Sequence, residues 1–275
     1  MSKEVLADNE KISIIMAVFN CEKTLKESID SILAQSYDNW EFIICDDCST
    51  DLTFAIINEY KEEYPDKFII IQNETNSKLA YSLNHCLKYA TGKYVARMDG
   101  DDLSTPDRLE KQVEFLRNHP DVDLVGCSMQ RFSESGMGMI DKKPEHPDKN
   151  TMKSCIPFNH ATIMTYKRVY DSLNGYTVAK RTERGQDYDL WFRFFYEGFN
   201  GANMEEALYL VREDINAIKR RTFKVRWMGF QTTKYGYKLL GFPKYLIVVE
   251  ALRTILKSLV PSKIVLLYRK WQSKK

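Results

Sequence analysis

Residues 94–102 read YVARMDGDD, a short and mostly apolar run that stops on Asp99, Gly100, Asp101 and Asp102. The run has the length of a buried strand, and the three carboxylates follow at its carboxyl end. The same arrangement recurs upstream. Residues 11–19 (KISIIMAVF) are almost wholly apolar, as a parallel strand covered on both faces is, and lead into Asn20. Residues 40–45 (WEFIIC) lead into Asp46, Asp47, Cys48, Ser49, Thr50 and Asp51, and residues 68–72 (FIIIQ) form a further run. Helical patterns fill the intervals: one opened by a capping-box pattern at Thr24 and Glu27 and reaching about Ala34, one over 53–64, and one over 78–90. This alternation predicts an α/β fold with a mostly parallel central sheet. Ligands of such sheets bind beyond the carboxyl ends of the strands, where the acidic clusters fall.

Further along, a helix is expected from Pro106 to about Asn118 and a strand over 122–127. Residues 133–150 read as a hairpin or mobile loop, and 187–197 as another helix. From about Ile215 the pattern is helical and basic. The chain thus divides into an extension (1–10), two halves of one α/β domain (11–102 and 103–214) and a basic amphipathic tail (215–275). Residues 1–214 hold 25 Lys and Arg against 37 Asp and Glu, whereas 215–275 hold 15 against one, Glu250. An acidic body with a basic tail suggests cation-assisted chemistry in front and an anionic surface behind. With 44% hydrophobic and 12% aromatic residues, wholesale disorder is excluded. No apolar leader and no apolar run long enough to span a bilayer is present. Six cysteines without an export signal are expected as reduced thiols in the cytoplasm.

Asp99 and Asp101 are the sharpest chemical signal. Two carboxylates one residue apart at a strand end can face a hard divalent cation such as Mg²⁺ or Mn²⁺, with Gly100 permitting close approach. The plainer alternative is a solvated acidic turn before the next helix. Phe19 and Asp47 offer a base pocket, the ring to stack and the carboxylate to accept from a ring N–H. Asp51 and its neighbours also suit a helix cap. Neither a dinucleotide nor a P-loop glycine motif occurs. Cys45 and Cys48, spaced as C-x-x-C, find no second pair for zinc and sit among acids, so they read as plain thiols.

Taken together, KISIIMAVFN, WEFIICDDCSTD, GKYVARMDGDD, FNHATIM and GQDYDLWFR resemble, in order and spacing, the motifs of family 2 glycosyltransferases over about residues 11–214. The flavour is that of bacterial capsule and exopolysaccharide enzymes. The resemblance implies a GT-A fold and an inverting transfer from a nucleoside-diphosphate sugar, with uracil the usual base. It places Phe19 and Asp47 at the base, and Asp99 and Asp101 at the metal and donor diphosphate. Asp187 matches the general base. Arg193, Arg212 and Lys78 are further donor-site candidates, and His160 falls at a family position near the active site, as an acceptor-site contact or a structural hydrogen-bonding residue. Two departures stand out. Gln186 replaces the usual Glu before the base, and Asn76, Ser77 and Lys78 lack the glycine many relatives carry. The chemistry needs the same set independently: a cation at the leaving diphosphate and one separate carboxylate to take the acceptor's proton.

In the tail, Leu246, Val249, Leu252, Leu256 and Leu259 fall on one helical stripe beside Arg253 and Lys257, and Tyr268 and Trp271 suit a headgroup boundary. This pattern predicts a peripheral anchor on the anionic inner face of the plasma membrane, which agrees with a lipid-linked glycan acceptor. The alternative is a helix packed on the acidic body; a nucleic-acid arm is disfavoured by the apolar content. Two other functions compete with this reading. A sugar nucleotidylyltransferase needs a glycine-rich loop after the first strand, which is absent. A catalytically weak nucleotide-sugar-binding protein acting as a protein-interaction module is kept open by Gln186.

Overall fold

The computed structural model describes residues 10–134, 136–213 and 222–259. Most of the 1–10 extension, the start of the tail at Ile215, and Tyr268 and Trp271 lie outside the described residues. The first half follows the expected order: β1 (Ile12–Val18), α1 (Leu25–Leu33), β2 (Trp40–Asp46), α2 (Thr53–Glu63), β3 (Phe68–Gln72), α3 (Leu79–Leu87) and β4 (Tyr94–Arg97). Then come β5 (Leu103–Ser104), α4 (Arg108–Asn118), β6 (Leu124–Ser133), β7 (Gly136–Asp141), β8 (Met164–Tyr166) and α5 (Lys167–Ser172). The described chain ends with α6 (Gln186–Tyr196), β9 (Gly201–Arg212), α7 (Phe223–Leu239) and α8 (Lys244–Leu259).

One sheet runs in the order β3-β2-β1-β4-β8-β6-β9-β5, with β7 paired to β6. The first four strands are parallel. β8 joins antiparallel to β4 and to β6, while β9 lies parallel to β6. The β6–β7 hairpin begins well before the stretch 133–150 expected as a hairpin or mobile loop, and only its second strand falls wholly inside it.

The sheet is covered on both faces, and the side-chain period of two sorts β1 between them. Ile12, Ile14, Met16 and Val18 meet α1, α2 and α4, whereas Ile15 meets α3 and α6 on the other face. Each isoleucine is fully buried, a contribution of about 1.5–3 kcal/mol apiece. This double burial fixes the register of β1 against β2 and β4 and so aligns the strand ends that carry the polar residues.

Two local expectations give way to tertiary contacts. The capping box at Thr24 and Glu27 does not form. The Thr24 hydroxyl instead donates to the Gly100 carbonyl at 3.0 Å, and Glu27 pairs with Arg212 at 2.5 Å. The start of α1 abuts the Asp99-Gly100 turn, so partners across the cleft outcompete the local cap. A Cβ on Gly100 would lie 2.9 Å from Val18 Cγ1, which is why this turn needs glycine.

The tail stripe is also rotated from its expected place. α7 lies against α6, with the Gly236 backbone on the Phe192 ring and Tyr237 edge-on to it at 5.9 Å. On α8, Leu246 and Ile247 turn inward to the same core. Tyr245, Val248, Leu252, Ile255, Leu256 and Leu259 are left exposed. Leu246 therefore leaves the predicted stripe, because the amphipathic pattern does not say which of two apolar faces the body takes. Among the described residues, no helix is long and apolar enough to cross a membrane.

Candidate active site

The ends of β1 and β4 open onto a cavity of about 660 Å³ bordered by Phe19, Asn20, Lys23, Asp99, Asp101 and Arg212. Phe19 is 48% exposed, so the ring is held out of the core and over the cavity. Its neighbour Asn20 adopts a left-handed backbone (φ 51°). The Asn20 amide donates to Ser49 Oγ at 3.0 Å, and its Oδ1 accepts from the Thr50 amide at 2.8 Å. These bonds lock the turn after β1 to the turn after β2. Asp51 braces the second turn by accepting from the Thr53 amide at 3.0 Å, but α2 starts after Leu52 without a side-chain cap.

Asp47 is buried behind this wall, its own amide donating to the Val18 carbonyl at 2.8 Å. Oδ1 accepts from Asn73 Nδ2 and the Ser77 amide, both at 2.8 Å, and Oδ2 accepts from the Lys78 amide at 2.9 Å. A carboxylate has about four acceptor positions, so Oδ2 keeps one for a further donor. The Lys78 contact has a conformational cost. Lys78 sits at φ 72° and ψ 165°, a region that essentially only glycine occupies. The glycine missing from 76–78 is thus missing where the backbone calls for one. The Lys78 ammonium donates to Asn76 Oδ1 at 2.6 Å and does not border the cavity.

The acids after β4 occupy three different settings. Asp99 is gripped from inside the sheet by Arg97, whose NH2 donates to Oδ1 at 2.5 Å. Asp101 faces outward, its carboxyl raised above the ordinary range by lost hydration in the cleft and by the Asp99 charge. Asp102 is buried and accepts from the Arg212 amide at 2.8 Å. Burial, then the charges of Asp99 and Asp101, push it to about 8. Like charges crowded in this way are relieved by a cation. Among the described residues no three acidic, histidine or cysteine side chains close a metal shell. One or two carboxylates are, however, what Mg²⁺ or Mn²⁺ takes when phosphate oxygens and water complete its sphere, so the donor set fits a hard divalent cation. Arg212 closes the rim, its Nε donating to the Asp101 carbonyl at 3.0 Å and its NH2 to Glu27.

Sequence reasoning passed over Arg97. It is the largest polar side chain buried in the strand, 1% exposed. Its NH1 donates to His160 Nδ1 at 3.0 Å; His160 Nε2 contacts the Tyr176 hydroxyl at 2.8 Å, which contacts the Tyr170 hydroxyl at 2.8 Å. Arginine only donates, so Nδ1 accepts and Nε2 carries the proton. Burial, then the Arg97 charge, holds His160 well below its ordinary pKa and keeps the ring neutral. His160 therefore stands behind Asp99 with both ring nitrogens engaged by protein partners. The available signal was a lone guanidinium inside an otherwise apolar strand.

α6 separates two acids two residues apart. Asp187 lies in its first turn and borders a second cavity of about 450 Å³ between α6, α7 and α8. Its carboxyl is raised by burial, with the Arg97 and Asp99 charges acting on it in opposite directions. Asp189 is fully buried, paired with Arg181 and with Arg193 Nε at 2.9 Å, and accepts from the Thr177 hydroxyl at 2.6 Å. Arg193 also donates to the Leu173 and Gly175 carbonyls at 2.6 and 2.9 Å. Arg193 is thereby removed from the donor side: its guanidinium is spent on pinning α6 to the preceding turn, and it does not border the first cavity.

Residues 13–173 match the family model described as glycosyl transferase family 2. The chain is 54% identical over 213 residues to EpsE of Bacillus subtilis (strain 168), which is named as a glycosyltransferase, covering 78% of this chain and 77% of that one. It is 40% identical over 219 residues to WfaP of Escherichia coli, covering 78% of this chain and 82% of that one. WfaP is named a UDP-Glc:alpha-D-GlcNAc-diphosphoundecaprenol beta-1,3-glucosyltransferase. In fold, it is similar to the mannosyltransferase PcManGT from Pyrobaculum calidifontis, solved with GDP-Man and Mn²⁺, at a TM-score of 0.63 and 18% identity. That likeness spans 97% of this chain and 81% of the other.

Proposed function

This chain belongs to glycosyl transferase family 2 and is a glycosyltransferase of GT-A fold; on that premise we propose that it inverts and transfers a sugar from a UDP-sugar to a lipid-linked glycan in polysaccharide assembly. The donor lies over the first cavity, with its base between Phe19 and Asp47. Asp99 and Asp101 hold the diphosphate side with Mn²⁺ or Mg²⁺, and Arg212 closes over it. A divalent cation held there supplies charge neutralisation to the departing diphosphate. The half 11–102 serves the donor and the half 103–214 the acceptor. The donor named for WfaP supports the choice of UDP, and the Mn²⁺ of PcManGT supports a divalent cation.

Asp187 acts as the base. The acceptor oxygen attacks the anomeric carbon, its proton passes to Asp187, and the bond from that carbon to the diphosphate oxygen breaks with its electron pair on UDP. The observation that carries this reading is the position of Arg97. It is ion-paired with Asp99 at 2.5 Å, and its charge also acts on Asp187. His160, once expected at the acceptor, is assigned a positioning role between Arg97 and Tyr176.

The enzyme works in the cytoplasm at the inner face of the membrane. The exposed apolar stripe of α8, the basic tail and six free cysteines support that placement. A panel of nucleotide sugars, titrated calorimetrically into the full chain with Mn²⁺, tests the donor. A UDP-sugar binding well above its GDP counterpart is expected; no nucleotide-sugar binding, or binding indifferent to metal, contradicts the reading.

A further inference from the structure

Asn73 stands between the Asp47 carboxylate and α3. It is buried, follows β3 directly, and its backbone amide donates to the Asp46 carbonyl at 2.9 Å. Nδ2 donates to Asp47 Oδ1 at 2.8 Å and to Ser82 Oγ at 2.9 Å. Ser82 in turn donates to the Lys78 carbonyl at 3.2 Å. Asn73 thereby braces the strained residue whose amide binds the other Asp47 oxygen. On its far side, Asn73 Oδ1 accepts from the Cys45 thiol at 3.5 Å and meets His85 Nδ1 at 3.0 Å. An asparagine side chain has two N–H groups and two lone pairs to offer, and all four are engaged.

This network admits one orientation of the Asn73 amide. A carboxylate only accepts, so the NH₂ side must face Asp47, whose oxygens also take the Ser77 and Lys78 amides. The carbonyl side then faces α3, and His85 Nδ1 must carry a proton to meet it. Burial, then the Lys88 charge, lowers the His85 pKa, so the ring is neutral near pH 7 and its lone pair falls on Nε2. Tyr81, one turn before, and Tyr89, one turn after, flank the ring with centroids at 6.2 and 6.0 Å.

Asp47 can read a base only as an acceptor. Uracil presents a ring N–H where cytosine, of nearly the same size, presents a lone pair. The donor at His85 Nδ1 keeps Asn73 turned so that the spare lone pair of Asp47 Oδ2 stays available to such an N–H. An acceptor at position 85 would claim the NH₂ side for itself and turn the Asn73 carbonyl onto Asp47. That would cost the carboxylate a donor and set two acceptors face to face.

We propose that His85, acting through Asn73, is a positioning residue for the nucleobase: its Nδ1 proton holds Asp47 in the setting that selects uracil over cytosine. The proposal rests on the donor-site reading, in which the base lies at Asp47.

The test measures UDP and CDP affinity by calorimetry with Mn²⁺ on the full chain, in the wild type and in His85→Asn, His85→Leu and His85→Asp. Asn and Asp share a shape and a helix propensity and differ in whether they donate. The diphosphate is common to both nucleotides, so the ratio of the two affinities separates the base from the added charge of Asp. The wild type is expected to favour UDP by about tenfold or more, with His85→Asn keeping most of that preference and His85→Leu only part. His85→Asp is expected to lose most of it. In ¹⁵N NMR spectra, the imidazole signal that disappears in His85→Asn is expected to be that of a neutral ring protonated on Nδ1. Equal UDP-to-CDP ratios in His85→Asn and His85→Asp, or a wild-type ring protonated on Nε2, overturns the proposal. Should His85→Asp fail to fold, equal ratios in His85→Asn and His85→Leu overturn it in the same way. A wild type that binds neither nucleotide, or both alike, sinks the donor-site reading instead, so the two failures are distinguishable.

Discussion

Arg97 reaches Asp99 from inside the sheet, its NH2 2.5 Å from the carboxylate Oδ1, while the same guanidinium donates to His160. The strand that ends in the acids thus also carries the cation that aims the first of them. Arg97→Met leaves Asp99 free to swing and His160 without its donor. Metal-dependent UDP affinity is expected to fall about tenfold or more, the loss of a charge-assisted pair, with Arg97→Lys intermediate. Calorimetry with Mn²⁺ checks it; an unchanged affinity in Arg97→Met removes Arg97 from the site.

Lys78 is held in glycine's territory by the hydrogen bond its backbone amide donates to the Asp47 carboxylate. Such strain costs about 1–3 kcal/mol, against about 0.4–1 kcal/mol of extra chain entropy that a glycine releases on unfolding. Lys78→Gly is therefore expected to raise the melting temperature, and Lys78→Ala, which keeps the strain, is not. Comparing UDP affinity between the two separates the ammonium from the backbone. A Lys78→Gly variant less stable than Lys78→Ala contradicts this account.

Asp187, as the proposed base, is expected to set the acid limb of the pH profile. The Asp187 carboxyl titrates above its ordinary value because it is buried. A base must be ionised, so turnover falls as pH drops through that raised value. Stability runs the other way: the contribution of the neutral carboxyl is complete below the unfolded pKa and is lost as pH rises through the folded one. A pH–kcat profile whose acid limb sits at an ordinary aspartate value, or does not shift in Asp187→Glu, counts against the assignment.

The α8 stripe predicts membrane binding in two parts. Coulombic attraction by the tail weakens steeply as the Debye length contracts to about 3 Å at 1 M salt. Insertion of Leu252 and Leu256 does not. Leu252→Asp/Leu256→Asp is expected to sediment with anionic vesicles at low salt and to release at high salt, where the wild type stays partly bound. Both residues are exposed, so the substitutions spare the core. Equal release of the two proteins refutes insertion.

How much of this was legible in the sequence depends on periodicity. β1 through β4 announced themselves because buried parallel strands are continuous apolar runs. β5 and β8, with two and three residues, are too short to carry any period. The acidic turns were visible because they end strands. Arg97 was visible as a residue, but its role needed β8 and the His160 turn brought alongside β4. The resemblance singled out Asp187, but the part Asp189 plays beside it was visible only in three dimensions. Two positions on a helix are about 200° apart, so one faces the cleft while the other is clamped by Arg181 and Arg193. Arg193, one turn after Asp189, shares its face and pairs with it. α8 is apolar on two faces, and only packing reveals which one the body takes.

The central claim is a division of labour between two carboxylate sites, and paired variants test it directly. UDP affinity in Mn²⁺ and turnover of the UDP-sugar are measured on Asp101→Asn and Asp187→Asn, with the wild type alongside. Asp101→Asn is expected to lose metal-dependent UDP binding and turnover together. Asp187→Asn is expected to bind UDP as the wild type does while kcat falls by about 10² or more. Loss of UDP binding in Asp187→Asn, or full metal-dependent binding in Asp101→Asn, would contradict the account.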